Sequence, residues 1–128
     1  MKILLLSDTH SYIDDRILDY AKETDEIWHC GDFGSMEVIE KLQSIKPLRG
    51  VWGNIDSHEI RAIFPEVNRF YCENVEVLMI HIGGYPNKYS TRTRAEFKNG
   101  IPQLFISGHS HILKAMYDEK LHLLHLNP

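Results

Sequence analysis

Short apolar runs alternate, along the first half of the chain, with segments whose apolar residues recur at helical spacing. The runs at 2–7, 26–30 and 48–52 predict buried strands, and the segments at 14–23 and 35–45 predict two helices between them. The resulting order of strand, helix, strand, helix and strand favours parallel pairing with right-handed crossovers.

After Pro65 the pattern changes to closely spaced strands. The runs at 67–72 and 75–80 are separated by two residues, a spacing that predicts a hairpin. Three further elements complete the prediction: a helix over 93–100, a strand over 103–107, and a closing hairpin formed by 114–118 and 121–126. The sum is an α/β domain with a parallel first half and a more antiparallel second half.

Length and charge narrow the class of protein. A chain of 128 residues corresponds to one domain, 1–128, and because it stops directly after a strand, a truncated C-terminus is left open. The net charge of −4 gives no support to a nucleic-acid surface or an anionic membrane surface. The first apolar run is too short for a signal peptide or a membrane span. We therefore expect a cytoplasmic protein with no membrane partner and with reduced cysteines.

Metal-ligating residue types follow five of the predicted strands at the point where each strand ends. They are Asp8 and His10 after the first strand, Asp32 after the second, Asn54 after the third, His81 after the run at 75–80, and His109 and His111 after the run at 103–107. Each alone is explained better by a turn or a cap. Together they favour one site, because ligand sites in open α/β sheets lie at the carboxyl ends of the strands.

The chemistry of this set fits two metal ions. Seven groups are too many for one ion with an open position, since a catalytic zinc keeps about three protein ligands. The mixture of imidazole, carboxylate and amide suits Mn²⁺ best, with Fe, Zn²⁺ or Ni²⁺ as alternatives, and it suits these ions better than Mg²⁺. Two ions roughly 3.5–4 Å apart can hold an attacking hydroxide between them and clamp the oxygens of an in-line displacement at phosphorus.

The order and spacing of these residues resemble the five motifs of the calcineurin-like metallophosphoesterases. The motifs are Asp8-Thr9-His10, Gly31-Asp32, Gly53-Asn54, His81 and Gly108-His109-Ser110-His111, and the similarity spans residues 3 to 111. The nearest likeness is to the small single-domain bacterial and archaeal phosphodiesterases. The resemblance implies a four-layer αββα sandwich of two mixed sheets flanked by helices. It also makes Asn127-Pro128 similar to the start of an Asn-Pro-Gly-Ser turn, after which relatives have further strands.

The resemblance also implies a role for each residue. It places Asp8, His10 and His111 on one ion, places Asn54, His81 and His109 on the other, and makes Asp32 the bridge. Asp32, Asn54 and His109 are expected to act in catalysis. The expected substrate is a small phosphate ester, and nucleic acid is expected only in the form of a nucleotide or oligonucleotide substrate. Many family members have a histidine directly after the motif asparagine, as a proposed proton donor, where this chain has Ile55.

The function that we expect is therefore that of a dinuclear phosphoesterase, and in particular a phosphodiesterase. Two alternatives remain open: a phosphomonoesterase, and a non-catalytic protein-binding scaffold of the same fold, such as a subunit of the eukaryotic retromer coat. A homo-oligomer is also left open. Two further residues, His29 and Asp56, flank the ligands and are candidates for partners that orient the imidazoles.

Overall fold

Two β-sheets face each other at the centre of the molecule. The computed structural model describes residues 1–128. In chain order the elements are β1 (Ile3–Leu6), α1 (Asp15–Lys22), β2 (Glu26–His29), α2 (Met36–Gln43), β3 (Leu48–Gly50), α3 (His58–Ile63), β4 (Val67–Cys72), β5 (Val75–Ile80), β6 (Gly84–Tyr85), β7 (Lys88–Tyr89), α4 (Thr91–Phe97), β8 (Leu104–Ile106), β9 (Lys114–Asp118) and β10 (Leu123–Asn127).

The first sheet is the parallel sheet that the sequence predicts. Its strands lie in the order β1-β2-β3, and both neighbouring pairs are parallel. α1 begins after Asp14, whose carboxylate accepts a hydrogen bond from the backbone N–H of Ile17 at 3.0 Å. The carboxyl ends of β1, β2 and β3 consequently meet at one edge of the sheet.

The second sheet is mixed, as we expected. Its order is β4-β5-β8-β10-β9, with antiparallel pairs at both ends and two parallel pairs in the middle. The hairpins β4–β5 and β9–β10 are confirmed, and the first turns through Glu73 and Asn74, both with positive φ. The prediction of a more antiparallel second half is confirmed, because three strand pairs there are antiparallel and two are parallel. The parallel pairing of β10 with β8 was not predicted, because a local turn signal cannot reveal the strand on the far side of a hairpin.

Successive side chains of a strand point alternately to the two faces of its sheet, one towards the other sheet and one towards the helices, and this alternation produces the four layers. In β5, Val77 and Met79 point between the sheets, whereas Leu78 and Ile80 point towards the face where Phe97 of α4 packs. The opposite face of the first sheet is covered by α1, α2 and α3 through a buried cluster. That cluster comprises Ala21, Ile27, Phe33, Val38, Ile39, Leu42, Ile60 and Phe64. The arrangement is the predicted αββα sandwich, and both cysteines are free thiols.

Two short elements escaped the sequence reasoning. α3 has six residues and is capped by Ser57, and the β6–β7 hairpin turns at Asn87, whose φ is 72°. Neither is long enough to show a periodic apolar pattern. The helix expected over 93–100 begins two residues earlier, at Thr91, because Ser90 caps it. No helix of the protein combines the length and apolar character needed to cross a bilayer.

Candidate metal centre

All of the side chains that the sequence singles out at strand ends lie together. They stand in the loops that follow β1, β2, β3, β5 and β8, at the edge where the carboxyl ends of both sheets meet. Two groups of three can be distinguished within which the potential ligand atoms lie no more than 4.8 Å apart. One group is Asp8, His10 and His111, and the other is Asp32, His81 and His109.

The first group surrounds a buried carboxylate oxygen that has no hydrogen-bond partner. Asp8 Oδ1 lies 3.2 Å from His111 Nε2 and 3.6 Å from His10 Nε2. The other oxygen of Asp8 accepts hydrogen bonds from Ser7 Oγ at 2.5 Å and from the backbone N–H of His109 at 2.9 Å. One oxygen is thus held by the protein while the other is free to meet a cation, as a metal ligand must be.

The pKa of Asp8 reflects this environment. Burial by itself raises it, but the hydrogen bonds from Ser7 and His109 and the charges of His81 and His111 together lower it below its ordinary value. The carboxylate form, which is the form that binds a metal, is therefore favoured.

The second group includes Asn54 as a fourth donor. Asn54 Oδ1 lies 3.1 Å from His81 Nε2 and 3.1 Å from His109 Nδ1. His81 Nδ1 lies 2.7 Å from the carbonyl oxygen of Cys30, which can only accept, so Nδ1 carries the proton and Nε2 presents its lone pair to the site. The backbone carbonyl of Cys30, the residue directly after β2, therefore fixes the tautomer of His81.

Asp32 lies between the two groups. Its Oδ1 accepts a hydrogen bond from the backbone N–H of Ile55 at 3.1 Å. Its Oδ2 lies 3.3 Å from His10 Nε2 in the first group and 3.2 Å from His81 Nε2 in the second. A single oxygen of Asp32 is consequently placed where a bridging ligand would stand.

The loops hold most of these residues in the left-handed region of backbone space. The φ angles are 55° at Asp8, 48° at His10, 59° at Asp32, 70° at His109 and 61° at His111. Non-glycine residues reach this region at a cost of roughly 1–2 kcal/mol each, and aspartate tolerates it best. Such strain is typical of functional sites, where the surrounding structure fixes a geometry that the isolated loop would not adopt.

Two glycines bring the loops close enough together. A Cβ atom on Gly53 would collide with the backbone and carboxylate of Asp32, and one on Gly108 would collide with Ser7 Oγ. The absence of a side chain at these positions therefore lets the loops after β3 and β8 pack against those after β2 and β1.

Asp56 connects two of the ligand loops, although not in the way that the sequence suggested. Its side chain is 4% exposed and accepts three backbone N–H groups, from Gly53 at 2.8 Å, Asp32 at 2.9 Å and Gly34 at 3.0 Å. It makes no hydrogen bond with an imidazole, so the candidate role of orienting one is not borne out. Its role is to hold the loops that carry Asp32 and Asn54.

His29 likewise supports backbone rather than an imidazole of the site. Thr9 Oγ1 donates to the carbonyl of Phe33 at 3.2 Å and lies 3.0 Å from His29 Nε2, while His29 Nδ1 accepts from the N–H of Gly31 at 3.2 Å. Burial lowers the pKa of His29 to about 3, so the ring is neutral. His29 thereby anchors Thr9, the residue between Asp8 and His10.

Some of the residues that hold the site act through atoms that a sequence motif cannot reveal. The carbonyl of Cys30 and the N–H groups of Ile55 and His109 are backbone atoms, and any residue type would supply them. Ser7 is the exception, since a hydroxyl directly before Asp8 is visible in the sequence and could have been recognised.

Comparison with known proteins places the chain in a family. Residues 1–128 match the model of the calcineurin-like phosphoesterase superfamily domain. The chain is 30% identical over 116 residues to a probable metallophosphoesterase of Methanothermobacter thermautotrophicus, an alignment covering 87% of this chain and 67% of that protein. The protein therefore belongs to the calcineurin-like phosphoesterase superfamily.

Solved structures share the fold. A novel archaeal phosphodiesterase superposes with a TM-score of 0.75 at 21% identity, covering all of this chain and 83% of that one. Vps29 of Entamoeba histolytica, solved as a complex with Zn²⁺, superposes with a TM-score of 0.78 at 18% identity, covering all of this chain and 73% of that one. At this level of identity the likeness establishes the fold alone.

Proposed function

We propose that the protein is a dinuclear metal-dependent phosphodiesterase. The observation that carries the proposal is the position of Asp32 Oδ2, between two groups of ligand atoms that face each other. The residues fit a pair of divalent ions, because the unpartnered oxygen of Asp8 and the fixed lone pair of His81 are directed at the same region. Imidazole, carboxylate and amide donors suit Mn²⁺, with Fe, Zn²⁺ and Ni²⁺ as alternatives.

Each residue has a defined part in this proposal. Asp8, His10 and His111 would hold one ion, Asn54, His81 and His109 the other, and Asp32 would join them. Such a pair of ions, when bound, supplies positive charge to the phosphoryl oxygens and lowers the pKa of the attacking water. Two groups are best placed to meet the ester: Asn54 and His109, which contact each other at the mouth of the site.

The chain offers no obvious side chain to protonate the leaving group. Ile55 follows Asn54 and is half exposed, and its backbone N–H, not its side chain, contacts Asp32. His58, at the first position of α3, is the nearest ionisable residue after it along the chain that is not committed to a backbone contact. We therefore expect the reaction to favour esters whose leaving group is a stable anion.

The test combines metal content with substrate preference. Elemental analysis after loading with Mn²⁺ should give close to two equivalents, and bis(p-nitrophenyl) phosphate should be hydrolysed faster than p-nitrophenyl phosphate. Faster hydrolysis of p-nitrophenyl phosphate, the monoester, would favour a phosphomonoesterase. Two bound ions without hydrolysis of either ester would favour the scaffold, and saturation at one equivalent or none would contradict the dinuclear site.

Substitutions at single ligands sharpen the same test. Asp32→Ala removes a donor from both groups, so activity and Mn²⁺ content should fall further than in His10→Ala or Asn54→Ala. Glu40→Ala, an exposed carboxylate on α2, is the control and should behave as wild type. An Asp32→Ala protein that retained two ions and most of the wild-type rate would exclude the bridging role.

A further inference from the structure

A cavity opens beside the candidate metal centre. Its volume is about 220 Å³, and its lining comes from the loops that follow β5 and β8 and from the end of β10. His109 is shared, because it belongs to the second ligand group and also lines the cavity. A group attached to a phosphate at the metal centre can therefore extend into this space.

Two buried polar atoms at this cavity have no partner. His125 is fully buried and Asn127 is 5% exposed, and as alternate residues of β10 they face the same side of the strand. Asn127 Nδ2 donates to the carbonyl of Gly108 at 3.1 Å and to Ser110 Oγ at 3.0 Å, but its Oδ1 is unpartnered. His125 Nδ1 is unpartnered as well. Orphaned polar atoms of this kind are rare and costly, so two beside one cavity indicate a polar occupant.

One orphaned atom, Asn127 Oδ1, is a hydrogen-bond acceptor, and the other, His125 Nδ1, is an acceptor in the tautomer that carries its proton on Nε2. In that tautomer Ser107 Oγ accepts from His125 Nε2 at 2.9 Å and donates to the carbonyl of Gly84 at 3.3 Å. His125 Nδ1 then carries a lone pair, as Asn127 Oδ1 does. Burial, and secondarily the charge of Lys114, lowers the pKa of His125 to about 4, which keeps the ring neutral. An occupant with two hydroxyl groups satisfies both atoms, because a hydroxyl group can donate to Asn127 Oδ1 and to His125 Nδ1 in this tautomer.

The walls of the cavity specify the rest of the occupant. Ile82, Tyr85 and Ile112 are apolar or aromatic, and the ammonium of Lys114 lies 4.1 Å from the centroid of the Tyr85 ring. Such walls suit the C–H faces of a saturated ring. The volume is below the roughly 300–1,000 Å³ that is typical of pockets for drug-sized ligands, which points to a small group.

We propose that this cavity binds the alcohol part of the substrate, and that this part is a sugar or polyol whose hydroxyl groups donate to His125 and Asn127. The inference rests on the proposed phosphodiesterase function for the position of the phosphate. A hydroxyl-free alkyl group of the same size would leave both acceptors unpaired, and sites built around buried acceptors discriminate strongly against such analogues.

The first arm of the test compares two diesters that share one leaving group. Ribose 5-(p-nitrophenyl phosphate) offers hydroxyl groups, whereas cyclohexylmethyl p-nitrophenyl phosphate has similar bulk and none. Two additional hydrogen bonds should favour the ribose ester in kcat/KM by roughly ten-fold. Equal values, or a preference for the cyclohexylmethyl ester, would overturn the proposal.

The second arm fills the cavity. Ile112 is 61% exposed, so Ile112→Trp can place an indole at the mouth of the cavity without disturbing a core. Leu113→Trp is the matched control, because Leu113 is the next residue, is 83% exposed and does not line the cavity. The ribose preference should collapse only in Ile112→Trp, and it should also fall in His125→Phe, which keeps a ring stacked against Phe105. A preference that survived in both Ile112→Trp and His125→Phe would refute the assignment.

The third arm separates this proposal from the proposed function. If the Mn²⁺-loaded protein hydrolyses neither these diesters nor methyl p-nitrophenyl phosphate, the phosphodiesterase assignment fails. A binding measurement then tests the cavity by itself. In protein labelled with ¹⁵N-histidine and supplied with diamagnetic Zn²⁺, ribose 5-phosphate should shift the His125 Nδ1 resonance, whereas inorganic phosphate should not. An unchanged resonance means that the cavity holds only water, and the proposal falls.

Discussion

The contacts of Asp56 predict a graded loss of stability. Its Oδ2 accepts the N–H groups of Asp32 and Gly53, and its Oδ1 accepts that of Gly34. In Asp56→Asn the amide oxygen can still accept from the N–H groups of Asp32 and Gly53, but the NH₂ group then faces the N–H of Gly34. One hydrogen bond is lost and a donor is left facing a donor, at a cost of about 1–3 kcal/mol.

Asp56→Ala removes all three contacts and should cost roughly 4 kcal/mol or more, since hydrogen bonds to a charged acceptor contribute about 1.5–3 kcal/mol each. That loss is a large part of the roughly 5–15 kcal/mol by which a domain is stable. The order of stability should therefore be wild type, then Asp56→Asn, then Asp56→Ala.

The assay is urea unfolding of the metal-free protein, with the free energy of unfolding taken from midpoints at an unchanged slope. Asp19→Asn is the control, because Asp19 is exposed and makes only a surface pair with Lys22, so its change should stay within about 0.5 kcal/mol. Titration with Mn²⁺ provides a second readout, since loosened loops should bind the ion more weakly. An Asp56→Asn protein as stable as the control, or as unstable as Asp56→Ala, would refute the reasoning.

Three other expectations follow from single features. Rates across a series of aryl and alkyl phosphodiesters should fall steeply as the pKa of the leaving group rises, and Ile55→His should make this dependence shallower. A shallow dependence in the wild-type protein that His58→Ala leaves unchanged would contradict this. Because His111 has a φ of 61°, metal-free His111→Gly should be about 1 kcal/mol more stable than His111→Ala, whereas the same pair at Leu113, outside that region, should show the opposite order. The pKa of His125 is lowered from 6.5 to about 4 in the folded protein, so between these pH values the unfolded chain binds a proton that the folded chain does not. The free energy of unfolding should therefore fall as the pH drops from 6.5 to 4, and it should fall less in His125→Phe.

The sequence predicts well that these side chains converge, because the signal is local and repeated. Asp8, Asp32, Asn54 and His81 each follow an apolar run within four residues, and parallel pairing carries such strand ends to one edge without any knowledge of packing. The same locality explains what could not be predicted. The place of β10 beside β8 depends on contacts between residues far apart in the chain.

The cavity lies beyond sequence reasoning for a different reason. His125 reads as an ordinary residue of an alternating strand, and a surface or a sheet position is the natural expectation for it. Burial and the orphaned Nδ1 become visible only when Ser107 and Phe105 pack against the ring. A buried polar residue is informative through what it lacks, and a missing partner has no signature in a sequence.

The hydrogen bond from the backbone N–H of His109 to Asp8 joins residues 101 positions apart, and it has a consequence for the order of events during synthesis. A ribosome delivers the carboxylates of Asp8 and Asp32 seconds before it delivers His81, His109 and His111, at roughly 5–20 residues per second. The nascent first half carries oxygen donors and a single imidazole from the proposed set, a combination that favours hard and abundant cations over Mn²⁺ or Zn²⁺. In the proposed dinuclear site, selection of the ion would therefore be deferred until the last ligand loop has emerged, and the finished fold, rather than any early segment, would determine which metal is retained.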